Sequence, residues 1–98
     1  MIACIKTVVG EDLIGELSTT LDGGFTLKNP FMVYLQAAGE NKISVAMTPY
    51  LHFAAADEFT FKKEHVILQY APSPELENNY RSLTGTGIVV AKPNISLV

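Results

Sequence analysis

The chain has 98 residues, 48% of them hydrophobic and 17% charged, with a formal net charge of −3 and a pI near 5.2. That length suits one domain and hardly two, and the acidic balance excludes the broad basic footprint of simple phosphate-backbone binders. The charged share falls below the usual value of about 25%, which points to a surface partly covered by further copies of the chain.

Residues 2–9, IACIKTVV, are β-branched and apolar and predict a first strand. GED (10–12) is a tight turn. LIGELSTT then alternates, with Leu13, Gly15, Leu17 and Thr19 on one face and Ile14, Glu16 and Ser18 on the other. Glycine inside a strand marks a sharp bend or a close backbone approach. LDGG (21–24) is a hairpin signal. FTLKNPFMVYLQ predicts the next strand, with Pro30 at an edge position or a bulge because proline cannot donate to the ladder. AAGENK (37–42) reads as a loop, and ISVAMTPYLHFAA as a strand bent at Pro49. AADE turns the chain into FTFKK, and HVILQY is the last strand of the series.

The pattern then changes. Ser73 is a candidate N-cap, Pro74 suits the first helical position, and Glu75 and Glu77 favour the positive helix end. Leu76, Tyr80 and Leu83 form one apolar stripe, and Gly85 or Gly87 would end the helix. The order is read as five strands over about 2–71, a helix over about 74–84 and an extended tail over about 87–98, all in one domain. The tail is a candidate sixth strand for pairing with a neighbouring subunit. Short strands with a sharply bent second one suit a small, strongly curved, mainly all-β barrel, because closure removes exposed edges.

The single cysteine, Cys4, lies in an apolar run and reads as a buried core thiol in a reducing compartment. MIACIKTVVG lacks the pattern of a signal peptide, and no apolar run approaches the ~20 residues of a membrane span. Two histidines and one cysteine give no metal spacing. Nothing marks Cys4 as an activated nucleophile, and GTG (85–87) is too short for a phosphate loop. The expectation is no enzyme, no cofactor, no metal, no small-molecule substrate and no membrane.

KTVVGEDLIGEL resembles the first segment of the Sm-like family, the group that includes the bacterial Hfq-type rings. Gly10 stands at that family's turn glycine and Gly15 at its mid-strand bend. DGGFTLKNP continues the likeness, with Asp22 at the acidic position, Phe25 at the apolar base-stacking position and Thr26 where the family has asparagine. FKKEHV is similar to the second segment, with Lys62 for the arginine, Lys63 in place of the glycine, and Glu64 and His65 following. DEFTFKK and GTGIVV are also similar to segments of a phage-borne Sm-like group, found in cyanophages, of no established activity.

The resemblance implies a five-stranded antiparallel SH3-like barrel of Sm type, a homo-oligomeric ring and a cytoplasmic location, that of the host if the chain is phage-encoded. It also implies single-stranded RNA held at pore-facing loops, where aromatic faces and a positive groove do the reading. The site residues it implies are Asp22, Phe25, Thr26, Lys62, Lys63 and His65. Each has a plainer reading. Phe25 suits a strand-start core residue, Asp22 a turn residue, Lys62 and Lys63 a solvated hairpin corner that blunts an edge, and His65 a surface or subunit contact. A structural or assembly scaffold of a phage particle or other complex, without RNA, is the alternative function.

Overall fold

The computed structural model describes residues 1–85 and 96–97. Six strands form one antiparallel sheet: β1 (Ile2–Thr7), β2 (Asp12–Thr19), β3 (Phe25–Ala37), β4 (Ile43–Pro49), β5 (Glu58–Phe61) and β6 (Val66–Tyr70). Their order is β6-β1-β2-β3-β4, with β5 also on β3. A 3-10 turn, Lys63–His65, joins β5 to β6, and a helix, α1 (Pro74–Leu83), follows. A two-residue strand, β7 (Ser96–Leu97), runs parallel to β4. The rest of the expected tail lies outside the described residues.

The sheet turns a corner where β2 meets β3. Ile14 pairs with Phe31 and Glu16 with Lys28, so Gly15 alone faces two residues, Asn29 and Pro30. This is a bulge on β3, and it bends the strand. Proline fits here because no ladder bond is asked of it, and Asn29 adopts a left-handed φ of 52°, which asparagine tolerates better than most residues. A Cβ on Gly15 would stand 2.9 Å from the Lys28 carbonyl oxygen, so the close approach requires glycine.

The corner divides β3 between two partners. Residues Phe25–Lys28 pair with β5, and Phe31–Ala37 pair with β4. The loop between β4 and β5 is tied at the bend from both sides: the Tyr50 amide donates to the Pro30 carbonyl at 2.9 Å, and the Asn29 amide to the Asp57 carbonyl at 2.6 Å.

Alternation along β1 and β2 feeds two cores on opposite faces. Ala3, Ile5, Leu13, Leu17 and Leu27 form one, with Phe25, Tyr50 and Phe61 against it. Cys4, Ile14, Met47 and Tyr80 form the other, which α1 covers with Leu76 and Leu83. The helix begins as the sequence predicts: the Ser73 hydroxyl accepts from the Leu76 amide at 3.2 Å, and Pro74 opens the first turn. Its stripe carries Tyr80 to the corner. There the hydroxyl reaches the carbonyls of Asn29 at 2.7 Å and Lys28 at 3.1 Å, and the ring meets Phe31 edge-on at 5.8 Å between centroids. Burial, with the Glu16 carboxylate adding to it, holds the phenol above its ordinary pKa, so it remains a donor.

Two expectations are corrected. The strand predicted over ISVAMTPYLHFAA ends at Pro49, and the segments FTFKK and HVILQY contribute two separate strands, β5 and β6, on either side of the 3-10 turn, so six antiparallel strands precede the tail rather than five. The sheet is also not closed: among the described residues β6 pairs only with β1 and β5 only with β3. The 3-10 turn carries the chain from one to the other without a ladder between them. The glycine bend and the bulge at Pro30 are present as expected.

Two substitutions measure the corner. Gly15→Ala would gain roughly 0.4–1 kcal/mol from a less flexible unfolded chain, but the clash with the Lys28 carbonyl costs about 1–3 kcal/mol, so a net loss is expected in urea unfolding. Tyr80→Phe leaves two carbonyls without their donor and should cost about 1–3 kcal/mol. An unchanged unfolding midpoint in either variant would contradict the corner's role.

Candidate nucleic-acid interface

The β2–β3 turn is built from its own side chains. The Thr20 amide donates to the Gly24 carbonyl at 3.0 Å, and the Gly24 amide reaches the Thr20 hydroxyl at 2.9 Å and the Asp22 carboxylate at 3.2 Å. The Thr20 hydroxyl also donates to Asp22. Gly23 takes a positive φ of 87°, a conformation a side chain would strain. At Gly24 an added Cβ would stand 2.9 Å from the Phe61 carbonyl oxygen, so the turn lies directly against the end of β5.

The second turn follows at once. The His65 amide donates to the Lys62 carbonyl at 2.9 Å, closing the 3-10 turn, and the Val8 amide donates to the His65 carbonyl at 3.0 Å. The Lys63 side chain extends toward Gly23, where an added Cβ would meet its Cδ at 3.5 Å. The two turns therefore share one open hollow of about 370 Å³, lined by Asp22, Gly24, Thr60, Phe61 and the Lys62–Lys63–Glu64 run.

Three of the residues singled out in the sequence, Asp22, Lys62 and Lys63, thus meet in one place. Thr26 lies beside it, its hydroxyl 3.1 Å from that of Thr60 across the β3–β5 pair. Phe25 does not line the hollow; it is half-buried against the Leu13–Leu17–Leu27 core and pairs with Phe61 in the ladder. Its ring packs on that core and not on the hollow. His65 is exposed and contributes its backbone to the turn, but it is not among the lining residues. Sequence reasoning missed Thr60. The signal was the period of two in EFTFK, which puts Glu58, Thr60 and Lys62 on one face.

In formal charge the hollow is balanced, since two lysines, Lys62 and Lys63, and two acids, Asp22 and Glu64, line it. The Thr20 hydroxyl, then the Gly24 amide and more weakly Lys63, hold the Asp22 carboxyl below the ordinary aspartate range. Such a site can place two cations beside a phosphate, and it sets two anions next to them. Elsewhere, burial raises the Cys4 thiol to about 11, with Asp12 adding to the rise and a Tyr70 hydrogen bond offsetting part of it. At neutral pH Cys4 is therefore a protonated packing group. Among the described residues no three metal-ligating side chains cluster, and no helix is long and apolar enough to cross a membrane.

No protein-family model matches the chain, and no curated protein matches it.

The Asp22 assignment is open to titration. Its carboxyl should titrate below the unperturbed value of about 3.9, rising most in Thr20→Val and less in Lys63→Ala. The depressed folded-state pKa means that the turn's contribution to stability is present above the unfolded pKa and is lost as pH falls through the folded one. A carbon-detected NMR titration that returned the unperturbed value would contradict this geometry.

Proposed function

We propose that the chain is a ring-forming Sm-like protein that holds single-stranded RNA where the Asp22 turn meets the Lys62–Lys63 turn. The finer fold reading goes with it: a small, bent, SH3-like arrangement of Sm type. The strand order, the bend at Gly15 and the 3-10 turn before β6 all support that reading.

Self-association is supported by where the apolar surface lies. Of eleven large apolar side chains exposed among the described residues, Val8, Val9, Ile67, Leu68 and Tyr70 lie on β6 and on the β1–β2 turn, whose Val8 amide bonds His65 just before β6. Leu35, Ile43, Leu51 and Phe53 lie on the β3–β4 hairpin and the loop after it. Only Met1 and Leu21 fall elsewhere. β5 and β6 each have one side of their ladder unpaired among the described residues. Antiparallel pairing of one copy's β6 with the next copy's β5 would satisfy both edges and cover the apolar side chains around β6. A heterologous contact of this kind closes into a ring when its rotation allows.

The observation that carries the RNA assignment is the shared hollow: two turns far apart in sequence bring Asp22 beside Lys62 and Lys63. With Phe25 in the core, affinity must rest on phosphate contacts repeated around the ring more than on stacking. Each lysine–phosphate contact steepens the fall of log affinity with log salt by about 0.7 for a single strand.

The balanced charge of the same hollow favours a second reading, an architectural ring in a phage particle or other assembly that binds no RNA. Binding of short U-rich and A-rich RNA across a salt series separates the two. The RNA reading expects binding at low salt, a shallower salt slope in Lys62→Ala/Lys63→Ala, and tighter binding in Glu64→Gln. If neither RNA binds at low salt while the multimer persists, the architectural reading stands.

A further inference from the structure

We propose that the Ser96–Leu97 strand is a strap that covers the middle of the β4 edge, leaving β5 and β6 as the edges offered to a second copy. Ser96 pairs with Ala46 and Leu97 with Met47, in parallel, on the side of β4 away from β3. β4 is the edge most in need of cover. Its seven residues, ISVAMTP, include no charge, and the first of them, Ile43, is 71% exposed. A neutral, apolar, unpaired strand of that length is a template for any other chain, and folded proteins blunt such edges with charge, brevity or a covering segment. β5 is short and opens on Glu58, with Lys62 and Lys63 just past its end. β4 has neither device, and Ser96–Leu97 lies on it instead.

The corner makes this division possible. Because β3 bends at Asn29–Pro30, β4 and β5 pair with different halves of it, so one edge can be closed while the other remains open. The purpose of the strap rests on the proposed ring assembly, since an open β4 would compete with β5 for a neighbour's β6. Its existence does not depend on that assembly.

The test compares the full chain with a chain ending at Asn94 and with the full-length Ser96→Pro/Leu97→Pro variant, in which the backbone donors of β7 are removed. Amide hydrogen exchange is read over Val45–Thr48 and assembly size by sedimentation velocity. Both variants should exchange about tenfold faster there, the loss of roughly one net hydrogen bond, and should form species larger than the full chain's that grow with concentration. Unchanged exchange in the proline variant overturns the strap. Faster exchange with the full chain's size distribution overturns its guarding role. If the truncated chain loses its far-ultraviolet β signal, the proline variant alone decides. A monomeric full chain would count against the ring and not against the strap, because exchange over Val45–Thr48 is read whatever the assembly size.

Discussion

The hydroxyl of Tyr80 reaches two successive carbonyls, those of Lys28 and Asn29, at the point where β3 bends. Much of the architecture depends on that contact. It ties the helix to the corner, and the corner in turn sets which strands β3 can pair with on each side of Pro30. Gly15 completes the arrangement from β2, where even a methyl group would press on the Lys28 carbonyl. A buried phenol satisfying two carbonyls at a bulge also meets a general requirement, because backbone groups freed by a broken ladder must find partners elsewhere.

From the corner follows the position of the two turns. β5 can lie against the first half of β3 because β4 has already left at Pro49. That brings Phe61 to Gly24 and Lys63 to Gly23, and so joins the Asp22 turn to the Lys62–Lys63 turn. The same geometry fixes the hollow's chemistry. Each lysine has a carboxylate in its neighbourhood, so a single copy offers little net attraction for a polyanion, and only repetition around an assembly would accumulate it. On the proposed reading, function and assembly are thus one question.

Much of the fold was legible in the sequence because local rules govern it. Ser73, Pro74 and the Leu76–Tyr80–Leu83 stripe specified the helix through capping and periodicity, and Gly15 and Pro30 marked the bend and the bulge through what those residues cannot do. Other features depend on distant parts of the chain. Pro49 marked a bend in ISVAMTPYLHFAA, but that the strand ends there goes with a long-range contact, the Tyr50 amide on the Pro30 carbonyl at the β3 bulge, which no local pattern records. Closure of the sheet was expected from short strands, yet it requires a ladder between β5 and β6 that the three-residue turn does not provide. At the site, Asp22, Lys62 and Lys63 were readable as ionisable residues in turns. Phe25 carried two readings, core and stacking, because an aromatic at a strand start looks alike on either face, and its half-buried packing depends on Leu13, Leu17 and Leu27.

The central claim is that the corner leaves two complementary strand edges and that copies of the chain join through them. Sedimentation equilibrium of the full chain over a wide concentration range tests it most directly. The account predicts one closed multimer whose mass stays constant as concentration rises, since a ring satisfies every edge it uses. A monomer at all concentrations, with β6 amides exchanging as freely as those of an unpaired edge, would contradict it.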